Sequence, residues 1–178
     1  MISSHYARGY TLIELIVSVG LFSLVMTLSA GAYFITISAN RQAQGVANGI
    51  DTISFVVERV ARSIRTGTGY SCAVVLGAGD CPNGSSSFSF LNAEGQTVAY
   101  SLSSSAIQES VNGGGARVLT DVSSITITHL QFYLSGSSVA DTTQAHVTIV
   151  VGGTTSTGAG KTETFLIETG ATMRGIDI

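Results

Sequence analysis

Between Arg8 and Arg41 the sequence holds a single charged residue, Glu14, in a run that is otherwise apolar or small. The run is longer than the ~20 apolar residues a helix needs to cross a bilayer. Beyond Arg41 the pattern changes. Val46, Ile50, Ile53, Val57, Val60 and Ile64 recur at steps of four and three, with Arg41, Gln42, Asp51, Glu58, Arg59, Arg62 and Arg65 set among them. That spacing predicts a helix over 10–65. Its first half is apolar on all sides, and its second half presents one apolar stripe to a domain. A short coiled-coil seam is the competing reading, and the β-rich pattern directly after the stripe argues against it. Glu58 and Arg62 lie one turn apart and support each other modestly. Gly31, Gly45 and Gly49 are expected weak points where the helix bends or melts, because glycine is a poor helix former.

Thr66-Gly67-Thr68-Gly69 supplies turn chemistry to stop the helix. A period of two then takes over. Residues 72–76 read as a first strand, followed by a loop with Pro82-Asn83-Gly84. Residues 87–92 and 97–103 read as a hairpin around Ala93-Glu94-Gly95-Gln96, with Val98, Tyr100 and Leu102 alternating as in a half-buried strand. Residues 106–111 form a short partner ending at Asn112-Gly113-Gly114-Gly115, and 118–121 lead into the longest strand, 124–134. There the apolar phase shifts from Ile125 and Ile127 to Leu130, Phe132 and Leu134, which calls for a bulge or a switch of face near His129. Residues 144–151 and 162–169 are expected to pair across a 152–160 loop, with 171–178 as an edge strand or a loose tail. The fold class is therefore α+β: a long N-terminal helix packed on an antiparallel β-sheet.

Composition narrows the function. The 178 residues suffice for the long segment and one compact domain. Net charge is −3, with Lys161 the one lysine and no basic run, so phosphate-contact binding of nucleic acid is not expected. Cys72 and Cys81 are open to three readings: a disulfide, free thiols or a metal site. The disulfide would contribute about 2–3 kcal/mol in the chain-entropy model and needs an oxidising compartment. The metal reading lacks a nearby histidine or second cysteine pair. Gly158-Ala159-Gly160-Lys161-Thr162 resembles the end of a phosphate loop, but Thr155 stands where glycine is required and the context is strand to strand. His129 and His146 have no Ser-His-acid order around them. Asn83-Gly84-Ser85 has the form of a glycan acceptor and reads more simply as a turn. A calcium site at Asp80 with Asp121 or Asp141 has no supporting acidic spacing. No catalytic residue, cofactor or metal is assigned, and an enzyme is the least favoured class.

The order Arg8-Gly9-Tyr10-Thr11-Leu12-Ile13-Glu14-Leu15-Ile16-Val17 carries the most specific signal. It closely resembles the type IV prepilin signature: a short basic leader ending in glycine, an aromatic residue, Thr-Leu-Ile-Glu, then a hydrophobic run. Tyr10 stands where phenylalanine is commoner. The resemblance implies that a prepilin peptidase cuts between Gly9 and Tyr10 on the cytoplasmic face, methylates the new Tyr10 amine and leaves the apolar helix in place. His5 and Arg8 make the leader mildly basic, which favours a cytoplasmic N-terminus. An ionised acid at mid-bilayer costs about 2.5–3.5 kcal/mol by insertion scales, so Glu14 needs a polar task. In a filament, its carboxylate would pair with the Tyr10 amine of a neighbouring subunit and offset the desolvation of both charges. A second, softer resemblance links most of the chain to the J-class minor pseudopilins of type II secretion and to large minor pilins. It rests on Phe88-Ser89-Phe90 before Gly95, then Val98-Ala99-Tyr100, Val118-Leu119-Thr120 and Leu130-Gln131-Phe132-Tyr133, with Arg59 and Arg65 bounding the end of the helix.

These resemblances imply a leader at 1–9, a transmembrane and assembly helix at 10–39, an amphipathic half at 40–66 and a β-rich domain at 67–178. They imply a structural subunit, a minor one, that starts or caps a pilus or a secretion pseudopilus. Its partners would be other pilin or pseudopilin subunits, the prepilin peptidase, the inner-membrane assembly platform and, before assembly, membrane lipid. The precursor would cross the inner membrane once, with its C-terminal domain outside, and end in a surface or periplasmic filament. Competing readings are the major subunit of a thin pilus and a membrane-anchored or secreted β-domain that binds a surface ligand. An ordinary signal peptide would use Arg8, an apolar core at 15–28 and a cut at Ala30-Gly31-Ala32, so that the mature chain began near Tyr33. A plain anchor explains the length of the run but not the order of residues 9–14.

Overall fold

The computed structural model describes residues 9–72, 79–137, 143–158 and 161–174. The expected leader up to Arg8, positions 73–76 of the expected first strand, Asp141 and the end of the tail lie outside the described residues. One helix, α1 (Leu12–Arg65), leads nine strands: β1 (Thr68–Ser71), β2 (Cys81–Ser85), β3 (Ser87–Leu91), β4 (Thr97–Ser103), β5 (Ala106–Val111), β6 (Arg117–Val118), β7 (Ile125–Ser135), β8 (His146–Gly158) and β9 (Lys161–Thr172). The chain divides into two compact units, Met1–Arg41 and Gln42–Ile178.

In the first unit α1 contains an 18-residue window of mean hydropathy 2.1 with none of its residues buried. By length and composition this helix is able to cross a membrane. Its hydroxyls turn inward on its own backbone. Ser18 donates to the Leu15 carbonyl at 2.9 Å, Ser23 to Val19 at 2.8 Å, Thr27 to Ser23 at 2.8 Å and Thr36 to Ala32 at 2.9 Å. Each bond hides a polar group that hydrocarbon could not solvate.

In the second unit the strands are antiparallel and form two sheets, in the orders β1-β3-β4-β5-β6 and β2-β7-β8-β9. The expected single meander is split because β2 leaves its sequence neighbours and pairs with β7. One core joins α1 to both sheets: Ile53, Val57, Val60 and Ile64 share it with Phe88, Phe90 and Tyr100 of one sheet and Phe132, Ile149 and Val151 of the other. Phe88 stacks on Phe132 at 5.3 Å between ring centres, which bridges the sheets. Ile50, assigned to the buried stripe from its spacing, is 40% exposed, while Gly49, Val56 and Ala61 are buried. The reason is local. Gly45 and Gly49 are not melting points, since α1 runs unbroken through both. A Cβ at Gly49 would overlap the Thr155 hydroxyl, and one at Gly45 would lie 2.8 Å from Thr157 Cα. Glycine lets β8 lie directly on the helix there, and that contact pushes Ile50 to the flank.

Three other expectations change. The helix stop takes only Thr66 and Gly67, and β1 precedes the expected first strand. The Gly67 amide donates to the Ile64 carbonyl at 3.0 Å, and the Tyr70 hydroxyl donates to Ile64 and Gly67 carbonyls at 2.7 and 2.6 Å. Burying the Tyr70 ring beside Phe88 and Phe90 draws the chain into a strand at once. Next, β8 and β9 run through the expected 152–160 loop as far as Gly158. Gly152 and Gly153 are buried between β7 and β9, so they serve close strand packing and not a turn, and the β-branched residues after them extend the ladder. Finally, the tail joins the sheet as far as Thr172. The phase shift in β7 is a bulge: the register slips between Ile127 and His129, and Ile125, Ile127, Leu130, Phe132 and Leu134 are all buried.

Candidate functional site

The start of α1 is set by Thr11. Its carbonyl accepts from the Leu15 amide at 3.2 Å and its hydroxyl accepts from the Glu14 amide at 3.3 Å. This is an N-cap, and Thr11-Leu12-Ile13-Glu14 has the Thr-x-x-Glu form of a capping box. The capping role of Thr11 was legible in that spacing but was overlooked beside the stronger motif. Gly9 and Tyr10 precede the helix and are exposed, Tyr10 at 84%. Gly9, Tyr10 and Glu14 thus gather within about one turn at the N-terminus of an apolar helix. Glu14 is the acid of the first turn, where a negative charge complements the helix dipole. Among the described residues its carboxylate meets no cation or hydrogen-bond donor. It is the one charged residue of the helix before Arg41, and the nearby Ser18 hydroxyl is turned onto the Leu15 carbonyl.

Cys72 and Cys81 belong to the second unit and form a disulfide across nine positions, with Cα atoms 6.2 Å apart. The bond settles the three readings of this pair in favour of oxidation. It joins the end of β1 to the start of β2, and so links the two sheets. Beside it, Asp80 accepts from the Gly136 amide at 3.1 Å, the Ser137 amide at 2.8 Å and the Ser137 hydroxyl at 2.5 Å. Those bonds, the Ser137 hydroxyl first, hold its carboxyl below the ordinary carboxylate range. Asp121 is held down in the same way by the Ser123 hydroxyl and amide. Each aspartate closes its own turn, and among the described residues no three His, Cys, Asp or Glu side chains gather as a metal site would require.

A charged junction also escaped the sequence reading. Glu109 of β5 meets Arg59 of α1 at 3.4 Å and Arg117 at 3.8 Å, and it accepts from the Tyr100 hydroxyl at 3.1 Å. Burial pushes Tyr100 up to about 12. Long-range pairing of this kind leaves no spacing signal. The local Glu58–Arg62 pair forms as expected, at 3.2 Å. His129 is exposed at the bulge, and His146 Nδ1 lies 2.9 Å from the Thr172 hydroxyl. Gly158 pairs with Lys161 between β8 and β9, which is not the setting of a phosphate loop.

Residues 4–30 match the family model described as the prokaryotic N-terminal methylation motif. The match spans Gly9, Tyr10, Thr11 and Glu14 and the first part of the apolar helix. No curated protein and no solved structure matches the chain.

Proposed function

We propose that this protein is a structural subunit of the type IV pilin class, a minor one, matured at Gly9–Tyr10 and assembled through its apolar helix. The observation that carries the reading is the methylation motif over residues 4–30, which takes in the start of the apolar helix and its single acid, Glu14. The motif supports membrane anchoring of a precursor, processing by a prepilin peptidase and assembly with other pilins. It marks a structural class, not a catalytic one.

The mechanism follows from charge. Cleavage after Gly9 creates a free amine on Tyr10, one turn before Glu14. Methylation keeps that amine cationic. In hydrocarbon a lone carboxylate is costly, and a neighbouring subunit brings the nearest suitable cation. Pairing Glu14 of one copy with the Tyr10 amine of the next would drive lateral entry into a filament. The Glu14 carboxylate, without a partner among the described residues, and the Thr11 cap, which leaves Glu14 exposed at the first turn, both support this. The β-rich domain would ride on the outside, supplied with a disulfide suited to an oxidising compartment. As a minor subunit the protein would start or cap a pilus or a secretion pseudopilus, acting with the inner-membrane assembly platform.

Mass spectrometry of the mature N-terminus tests the core of this reading. Methyl-Tyr10 is the expected result, and a chain starting near Tyr33 would end it. Replacing Glu14 with Ala should leave the protein in the membrane and absent from sheared filaments. Counting subunits in purified filaments separates a minor from a major component.

A further inference from the structure

Three asparagines in this chain are followed by glycine: Asn48, Asn83 and Asn112. Such pairs share a chemical weakness. With no side chain on the next residue, its backbone nitrogen can attack the asparagine side-chain carbonyl and close a five-membered imide. Folded structure decides whether the attack is reached, because a backbone N–H held in a ladder is withdrawn from reaction.

The three sites differ sharply in that respect. Asn48 and Gly49 lie inside α1, where the Gly49 amide belongs to the helix ladder and the Asn48 carbonyl also accepts from the Thr52 hydroxyl at 2.8 Å. Asn112 has its side-chain oxygen bonded to the Thr97 amide at 2.9 Å and its own amide bonded to the Thr97 carbonyl at 2.7 Å. Among the described residues the Asn83 side chain has no such restraint. It is exposed in β2. The β2–β7 register pairs Cys81 with Leu134 and Ser85 with Phe132, so three residues on β2 stand opposite one on β7. The register gives neither Asn83 nor Gly84 a partner. Gly84 cannot be exchanged to remove the weakness. Its φ is +75°, and a Cβ would overlap the Gln131 amide oxygen and the Tyr133 ring. The bulge therefore demands glycine after an exposed asparagine.

We infer that Asn83 is a site of spontaneous, structure-selected deamidation on β2, next to the Cys72–Cys81 disulfide. The Gly84 nitrogen loses its proton and bonds to Asn83 Cγ, and the side-chain nitrogen leaves as ammonia. Water then opens the imide at either carbonyl to give aspartate or isoaspartate. The net change is one amide plus one water to one carboxylate plus ammonium, with no oxidant or enzyme required. The product adds a negative charge to a chain already at −3. In its isoaspartyl form it also adds one backbone carbon to β2 between Cys81 and Ser85. The disulfide holds the strand's start while this happens.

The test is peptide mapping of the full-length protein in detergent, aged at mildly alkaline pH, with isoaspartyl methyltransferase labelling as a second readout. The Asn83 peptide should convert at least about tenfold faster than the Asn48 and Asn112 peptides, as expected where one side chain is exposed at a bulge and the others sit in a helix or are bonded to the Thr97 amide and move free only transiently. In denaturant the three rates should converge, and Asn83→Gln should remove the labelled product while leaving far-ultraviolet dichroism unchanged. Equal rates at the three sites in the folded protein, or an Asn83 that keeps its amide as long as Asn48, would overturn the proposal. So would a sugar found on Asn83 in protein from its native cell, since a glycosylated amide is already committed.

Discussion

Leu15, Val19, Phe22, Val25 and Leu28 in the first half of α1 are all more than half exposed, whereas Ile53, Val57, Val60 and Ile64 in its last turns are almost wholly buried. The residue types are similar and the backbone is one helix, but the two stretches are written for different surroundings. The later stretch finds its apolar partners within the chain, in the aromatic core that bridges the two sheets. The earlier stretch finds none there. It hides its hydroxyls on its own carbonyls, and among the described residues the Glu14 carboxylate meets no partner, so this surface is suited to lipid or to other apolar helices. Stability of the domain is thus encoded in the later stretch, and mutations in the two stretches should have separate effects.

The strongest way to break that separation is at Phe132, which is fully buried and stacked on Phe88. Phe132→Ala should lower the unfolding free energy of the β-rich unit by about 3–5 kcal/mol. Leu24→Ala in the apolar half should leave the same unfolding transition in place. A comparable loss from Leu24→Ala, followed by chemical denaturation in detergent, would mean that the two stretches are not independent. Next comes the disulfide. Replacing Cys72 and Cys81 together with Ser should cost about 2–3 kcal/mol in the chain-entropy model, with membrane association unchanged in a flotation assay.

Glycine sharpens the contrast further. Propensity alone says that Gly→Ala in a helix stabilises by about 1 kcal/mol. At Gly31, with nothing near its missing Cβ, the gain should appear in the helix itself and not in the unfolding of the β-rich unit. Gly49 should reverse it, with Gly49→Ala losing about 1–3 kcal/mol by overpacking, and Thr155→Ala in the same chain should recover part of the loss. Stabilisation at both positions would refute the close helix–strand contact.

The smallest effect concerns pH. Burial raises Tyr70 and Tyr100 from 10.0 to about 12. The folded unit therefore keeps both phenolic protons at pH values where the unfolded chain releases them. Their contribution is complete below pH 10 and declines as pH rises through 12. Melting followed across that window should fall more steeply for the native chain than for Tyr100→Phe.

Local periodicity was enough to place most elements. The ends of β4 and β5 coincide with the alternation of Val98, Tyr100 and Leu102 and with the turn residues that flank them, and the bulge near His129 was visible as a change of apolar phase. The N-terminal motif was legible because its meaning lies in residue order, which survives without any fold. What could not be read depended on residues distant in sequence. The Arg59–Glu109 junction, the pairing of β2 with β7 and the packing of β8 on Gly45 and Gly49 leave no mark on spacing. Glycine and threonine in 152–158 even pointed the other way, because a buried glycine and a turn glycine look alike in one dimension.

By itself, then, the sequence determined which stretch is long and apolar enough to cross a membrane, where the chain changes from period 3.6 to period two, and which residues carry the N-terminal methylation motif. Those follow from nearest neighbours along the chain. The tertiary structure alone decided that there are two sheets, that glycine on α1 is a contact surface and that Asn83, unlike Asn48 and Asn112, is left without a restraining partner. Such outcomes depend on which distant backbone arrives alongside, and close packing in three dimensions is what selects it.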